Sequence, residues 1–208
     1  MEVGETRQVG GSKYLRLFER DYSHRGKSGK WLFASRDENP PTHENKKPDA
    51  VIVVPIHLGG TEPRIILTSE YRVPILTREL SFPAGLIDPE DYEGSESIQD
   101  AVVKAGVREC WEETNTDLVV KVVSPDNLYA TAGLTNESAA FVFGTCTGEP
   151  SNKNSKKSED IQVVPMDLSQ IRDLLTGKGP YYNHALSVRA WMMLQPIVDH
   201  GWPDWMKK

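Results

Sequence analysis

Residues Ala50–His57 read AVIVVPIH, an eight-residue run with no acid, lysine or arginine. A stretch so short and so continuously apolar is a strand covered on both faces. It therefore demands a sheet with packed layers on each side. The means are present, since 38% of the 208 residues are hydrophobic and 26% are charged, ordinary proportions for a soluble globular chain. The length suits one principal domain, with residues 50–208 as its body and residues 1–49 as an N-terminal piece of strands and a connector.

Other strand signals surround this run. Tyr14–Tyr22 (YLRLFERDY) alternates apolar and polar residues, and Trp31–Arg36 (WLFASR) follows the hairpin-like SHRGKSGK. Arg64–Val73, Glu79–Phe82, Leu118–Val123, Ala139–Cys146 and Ile161–Met166 read as further strands. A 3.6-residue period marks a helix over Ile98–Thr114, and two more helices are expected over Leu168–Thr176 and Asn183–Asp199. The first dozen residues are polar, carry no periodic signal and read as mobile. Asp37–Asp49 is a polar, proline-rich connector. Strands interrupted by a few helices imply an α/β or α+β sandwich.

Charge is distributed unevenly. Between Gly85 and Leu118 lie ten carboxylates and two bases, a local charge of −8 in a chain whose net charge is −6, so the remainder sums to +2. This balance argues against nucleic acid or a membrane surface as partner, because both call for basic patches. No run approaches the roughly 20 apolar residues of a membrane span. The N-terminus lacks the basic and apolar regions of a signal peptide. The two cysteines, Cys110 and Cys146, form no C-x-x-C pair, and the five histidines show no ligand spacing. A cytoplasmic location with reduced thiols is the simplest expectation.

The acidic excess has a focus. In Arg108-Glu109-Cys110-Trp111-Glu112-Glu113, helical geometry puts the three glutamates on one face at i, i+3 and i+4. Like charges so placed destabilise a helix by about 0.2–0.5 kcal/mol per pair. Val107 and Trp111 make this a docking helix, Arg108 can pin a carboxylate through a forked pair, and a strand ending in Pro83-Ala84-Gly85 precedes it. Several carboxylates with a backbone carbonyl suit Mg²⁺ or Mn²⁺ better than zinc.

These residues resemble the Nudix box, G-x5-E-x7-R-E-U-x-E-E-x-G-U, with its REUxEE core intact. Asp100 stands in place of the first Glu, and Asn115 in place of the second Gly. The box glycine is either Gly85, with about nine inserted residues (Pro89 to Ser97), or Gly94, which lies at the standard distance from Asp100. Glu93 or Glu96 can substitute for Asp100. Asn115 tolerates the left-handed conformation of a helix end. Outside the box, Ser69-Glu70-Tyr71-Arg72-Val73-Pro74, Glu79 to Asp88, Ala132 to Glu137 and Glu159-Asp160-Ile161 resemble the ADP-ribose pyrophosphatase and nucleoside-diphosphate-sugar hydrolase branch.

The resemblance implies an α/β/α sandwich with a mixed central sheet and an N-terminal antiparallel extension. It also implies a homodimer assembled through the N-terminal strands, and hydrolysis of a nucleoside diphosphate sugar, ADP-ribose foremost. Glu109 and Glu113 would hold Mg²⁺ or Mn²⁺ with the Ala84 carbonyl, Glu112 assisting and Arg108 orienting the carboxylates. The general base would be a glutamate on a loop after the box. Glu137 and Glu159 both qualify, and Glu159, ahead of the last sheet strand, has the better position. Arg72 can clamp a phosphate, Glu79 can help place metal or a ribose hydroxyl, and Trp31 can stack on a base. Two other readings are a Nudix hydrolase of dinucleotides or nucleoside triphosphates, and a non-catalytic nucleotide sensor.

Overall fold

The apolar run is a strand in which seven of eight residues are buried. In the computed structural model, which describes residues 1–207, the strands are β1 (Glu2–Gly11), β2 (Arg16–His24), β3 (Lys27–Ser35), β4 (Ala50–His57), β5 (Arg64–Arg72), β6 (Thr77–Ser81), β7 (Ala84–Leu86), β8 (Asp117–Val123), β9 (Leu128–Tyr129), β10 (Ser138–Thr147), β11 (Ile161–Met166) and β12 (Ala185–Leu186). The helices are α1 (Pro89–Tyr92), α2 (Ile98–Thr114), α3 (Leu168–Leu175) and α4 (Val188–His200). Among the described residues no helix is long and apolar enough to cross a membrane.

The chain divides into two compact units. The first comprises Met1–Ala50 with Asp126–Ala139. Its antiparallel sheet runs in the order β1-β2-β3. Arg25 and Gly26 join β2 to β3 at φ 50° and 75°, the positive angles of a two-residue turn whose twist matches its strands. Phe18 and Phe33 stack across the two strands at 5.6 Å, with the Arg20 guanidinium 5.1 Å from the Phe33 ring. The connector that follows is anchored by Lys46. Its buried ammonium donates to Asp49 Oδ1 at 2.6 Å and Asp37 Oδ2 at 3.0 Å. Burial disfavours that charge, but the two carboxylates outweigh it and raise the Lys46 pKa.

The first residues are therefore a strand and not a mobile lead-in. Their order comes from the partner strand: Arg7 donates to Glu19 Oε1 at 2.7 Å and Asp21 Oδ1 at 3.1 Å. Two register irregularities interrupt the pairing of β1 with β2, and they erase the two-residue period that a strand otherwise displays.

The second unit comprises Val51–Pro125 with Ala140–Lys208. Its mixed sheet has the order β12-β6-β5-β4-β10-β8, with β11 also pairing β5 and β7 pairing β4. The α/β sandwich expected from the sequence is the observed class. Helix α2 lies on this sheet and buries Ala101, Val102, Ala105 and Cys110 against a core that includes Val51, Val53, Ile66 and Val142. A Cβ on Gly106 would lie 3.0 Å from the Val142 side chain, so helix and strand approach closely there. Ser97 caps the helix start by accepting the Asp100 N–H at 3.1 Å. Asn115 ends it at φ 55°. The final helix begins five residues later than its expected start at Asn183. Ala185 and Leu186 instead pair in parallel with Glu79 and Leu80, and the Ser187 N–H donates to the Leu80 carbonyl at 3.0 Å.

The pairing of β10 with β8 shifts register between Phe143 and Gly144. A Cβ on Gly144 would lie 2.5 Å from the Val119 carbonyl oxygen, which belongs to rigid backbone. Gly144→Ala should therefore lower stability by about 1–3 kcal/mol, roughly 2–12 °C in melting temperature. An unchanged thermal melt would contradict this close approach.

Candidate active site

Glu109 and Glu113 stand one turn apart on the buried face of α2, only 5% and 7% exposed. Two carboxylates on an inward face are costly unless something answers their charge. Strand β7 supplies part of the answer. The Ala84 N–H donates to Glu113 Oε2 at 3.2 Å. Gly85 lies so close to Glu109 that an added Cβ would sit 2.1 Å from its carboxyl carbon. Gly85 is thus the glycine facing the helix carboxylates, whereas Gly94 occupies a φ of 67° with no atom near a would-be Cβ.

Arg108 supplies the rest. It donates from Nη1 to Glu109 Oε1 at 2.6 Å, from Nη2 to Asp91 Oδ2 at 2.8 Å and to the Leu86 carbonyl at 3.0 Å, and from Nε to Asp91 Oδ1 at 3.3 Å. Asp88 lies 3.4 Å from Nη2, and Glu112 lies 3.8 Å from Nη1. Asp91 is itself buried and accepts the Asp88 N–H at 2.9 Å, closing a capping box on α1. Burial opposes ionisation of Asp91, but the Arg108 bond prevails and holds its pKa below the usual carboxylate range. The acidic insert is accordingly a folded element that seats Arg108. Lys104 fastens it again by donating to the Glu93 carbonyl at 2.8 Å. Glu90, Glu93, Glu96 and Asp100 are exposed.

The second side of the site comes from the paired strands β5 and β6. Glu70 on β5 stands opposite Glu79 on β6. Arg72 bridges them, at 2.7 Å to Glu70 and 3.1 Å to Glu79. Glu159, at the end of the loop before β11, folds back so that its Oε2 accepts the Lys156 N–H at 3.3 Å. The Lys156 ammonium reaches Glu112 Oε2 at 3.2 Å. Glu70 and Lys156 were not singled out from sequence. Both acquire their places through strand register and loop return, which no local pattern encodes.

The electrostatics separate the carboxylates. Burial pushes Glu113 up to about 8, and the neighbouring charges of Glu109, Glu159 and Glu70 add to this. Burial also raises Glu109, although Arg108 opposes the rise, and it raises Glu70. No lysine, arginine or histidine pairs with Glu113 among the described residues; its one hydrogen-bond donor is the Ala84 amide. A hard divalent cation fits this donor set, being drawn to carboxylate oxygens that lack a counterion. No three His, Cys, Asp or Glu side chains already form a cation cage among the described residues. Mg²⁺ does not require one, since it commonly keeps several waters and uses one or two carboxylates.

Two expected site residues belong to the first unit. Glu137 accepts from Arg36 Nε at 2.8 Å. Trp31 is half exposed, donates from Nε1 to the Gly133 carbonyl at 3.0 Å and meets Tyr22 edge-on at 6.1 Å. With Tyr22, Phe33 and Asn136 it lines a cavity of about 250 Å³.

The Gly85 approach has a testable consequence. Gly85→Ala displaces the end of a flexible side chain, so the protein should stay folded, with melting lowered by no more than a few degrees, on the order of 1 kcal/mol. Mn²⁺ should raise the melting temperature of the parent protein and leave that of Gly85→Ala unchanged. A variant with the full Mn²⁺ shift would contradict the arrangement.

Comparison with known proteins agrees with this geometry. No family model matches the chain. Nudix hydrolase 2 of Caenorhabditis elegans is 30% identical over 178 residues, covering 83% of this chain and 70% of that protein. An uncharacterized Nudix hydrolase of Schizosaccharomyces pombe is 28% identical over 156 residues, covering 73% and 69%. The crystal structure of an ADP compounds hydrolase superposes with a TM-score of 0.63 at 23% identity, covering 95% of this chain and 94% of its own, and so has the same fold. With the REUxEE core on α2 and a relative of this identity and coverage, the chain belongs to the Nudix hydrolase family.

Proposed function

We propose that this Nudix hydrolase cleaves the diphosphate bond of a nucleoside diphosphate sugar, ADP-ribose foremost, giving a nucleoside monophosphate and a sugar phosphate. The observation that carries this reading is the buried Glu113 carboxylate. It lies among Glu109, Glu159 and Glu70 with no cationic side chain as partner among the described residues. Glu109, Glu113 and the Ala84 carbonyl would hold Mg²⁺ or Mn²⁺, with Glu112 assisting. When bound, such an ion offsets the charge of the diphosphate and lowers the pKa of bound water.

The side chains supply the other functions. Arg108 is committed to Asp91, Glu109 and Leu86, which suits it to orienting carboxylates and not to substrate. Arg72 holds a phosphate bidentately, and Glu79 keeps its guanidinium aligned from the neighbouring strand. Glu159 takes a proton from the attacking water. The water oxygen bonds to phosphorus as the bond from phosphorus to the departing phosphate oxygen breaks. Glu159 is preferred as base over Glu137, because it lies on the loop ahead of β11 in the unit that carries Glu109 and Glu113, whereas Glu137 is engaged by Arg36 at 2.8 Å. Within the first unit, Trp31, with Tyr22 and Phe33 beside it, offers an aromatic face suited to stacking on a nucleobase. The protein works as a cytoplasmic homodimer. Its N-terminal sheet exposes Val3, Val9, Leu17 and Leu32 to a second copy, and both thiols are free and buried.

Incubation with a panel of nucleoside diphosphate sugars, dinucleotides and nucleoside triphosphates plus Mg²⁺ tests the substrate class. ADP-ribose should give AMP and ribose phosphate, and chelation should abolish turnover until Mg²⁺ is restored. Preference for dinucleotides or triphosphates would move the substrate class. No turnover on any compound, with nucleotide binding kept, would support a sensor. Glu113→Gln should lower kcat by about 100-fold or more with the fold intact, and near-parental turnover would remove Glu113 from the metal site.

A further inference from the structure

The loop that carries Glu159 is tied down at two places. Its first half is bound to the C-terminal end of α2. The Ser151 N–H donates to the Thr114 carbonyl at 2.9 Å, Asn154 Nδ2 to the Asn115 side chain at 2.9 Å, and Lys156 Nζ reaches Glu112. Its far end is held by Arg78 of β6. From Nη1 that guanidinium donates to Asp160 Oδ2 at 2.6 Å, and from Nη2 to the Asp160 carbonyl at 2.9 Å. It also donates from Nη2 to the Ser69 carbonyl at 2.8 Å and from Nε to Ser69 Oγ at 3.0 Å. Ser69 is wholly buried on β5, and its Oγ also meets His184 Nδ1 at 3.2 Å. One planar side chain thus fastens residue 160 to the backbone of the adjacent strand, immediately before β11 begins its pairing of Ile161 with Glu70.

We infer that Arg78 is a positioning residue that sets the Glu159 carboxylate by fixing Asp160, its immediate neighbour, against β5. The inference rests on the reading of Glu159 as general base. The Arg78–Asp160 ion pair is solvent-exposed on the aspartate side, so its worth to stability is small. Its worth lies in register. Glu159 closes a turn by donating its N–H to the Lys156 carbonyl at 2.9 Å, and the next residue is gripped by the fork at both its carboxylate and its carbonyl. The backbone from which Glu159 projects is thereby held from both sides. Lysine cannot reproduce this grip, because an ammonium is a point donor without a planar fork.

The test is a double-mutant cycle of Arg78→Lys with Glu159→Gln, with Asp160→Asn as a milder second variant. Turnover is read with ADP-ribose and Mg²⁺, and Mn²⁺ binding is measured without substrate. Arg78→Lys should lower kcat by about 10- to 100-fold, the scale of an ångström-sized misplacement, with KM changed less than about threefold. Mn²⁺ affinity should be unchanged, and Asp160→Asn should lower kcat in the same sense. In the Glu159→Gln background, Arg78→Lys should cost less than about twofold, because residues acting through one group are not additive. A full Arg78→Lys penalty on top of Glu159→Gln, or a penalty seen in KM or Mn²⁺ affinity alone, would overturn the positioning role and leave the base assignment standing. Parental turnover in Glu159→Gln alone would overturn the base assignment and the positioning role together. If Arg78→Lys fails to fold, the same cycle with Asp160→Asn decides the question by the same criteria.

Discussion

Burying two carboxylates side by side on a helix is the constraint around which the second unit is built. Among the described residues one guanidinium pairs with them, that of Arg108 with Glu109, and it is shared with Asp91 and the Leu86 carbonyl. That sharing explains the surrounding architecture. Strand β7 must come close enough to offer Leu86 and the Ala84 N–H, which leaves no room for a side chain at Gly85. The acidic insert must fold into α1 so that Asp91 can meet Arg108 from below the surface. Helix α2 must be pinned by small residues, Ala105 and Gly106, close to β10. The packing is the condition for the electrostatics.

Within that frame the three box glutamates are not equivalent. Glu109 is paired with Arg108, Glu112 faces Lys156 at the rim, and Glu113 faces other carboxylates. Strands β5 and β6 and the loop before β11 add Glu70, Glu79 and Glu159 on the same unit, with Arg72 and Arg78 beside them. An arrangement that concentrates acid and pairs only part of it has a natural counterpart in a divalent cation bound with a polyphosphate. The proposed chemistry follows from that unequal pairing more than from the number of acids. The insert's acids Glu90, Glu93 and Glu96 are exposed, in contrast to Asp91.

Much of this was legible in the sequence. Ala50–His57, Ile98–Thr114 and Ile161–Met166 have the bounds their patterns indicated, because each buries a continuous or periodic apolar face and needs no distant partner to announce itself. The REUxEE core was legible through its resemblance to the Nudix box, and the helical spacing of its mutually repulsive acids separately called for a compensating structure. Features built from register were hidden. Strand β1 is ordered by Arg7 reaching across to β2, and Glu70 becomes part of the acid group only because β5 aligns it with Glu79. The fold of the insert was hidden too, because its buried acid, Asp91, is indistinguishable in sequence from its exposed neighbours. The grip of Arg78 on Asp160 spans 82 positions, beyond the reach of any local pattern.

The most direct measurement of the central claim is anomalous diffraction from crystals of the intact protein soaked in Mn²⁺. The account predicts a strong anomalous peak in contact with the Glu113 and Glu109 carboxylates beside Ala84. Saturating Mn²⁺ that leaves those carboxylates without such a peak would contradict it.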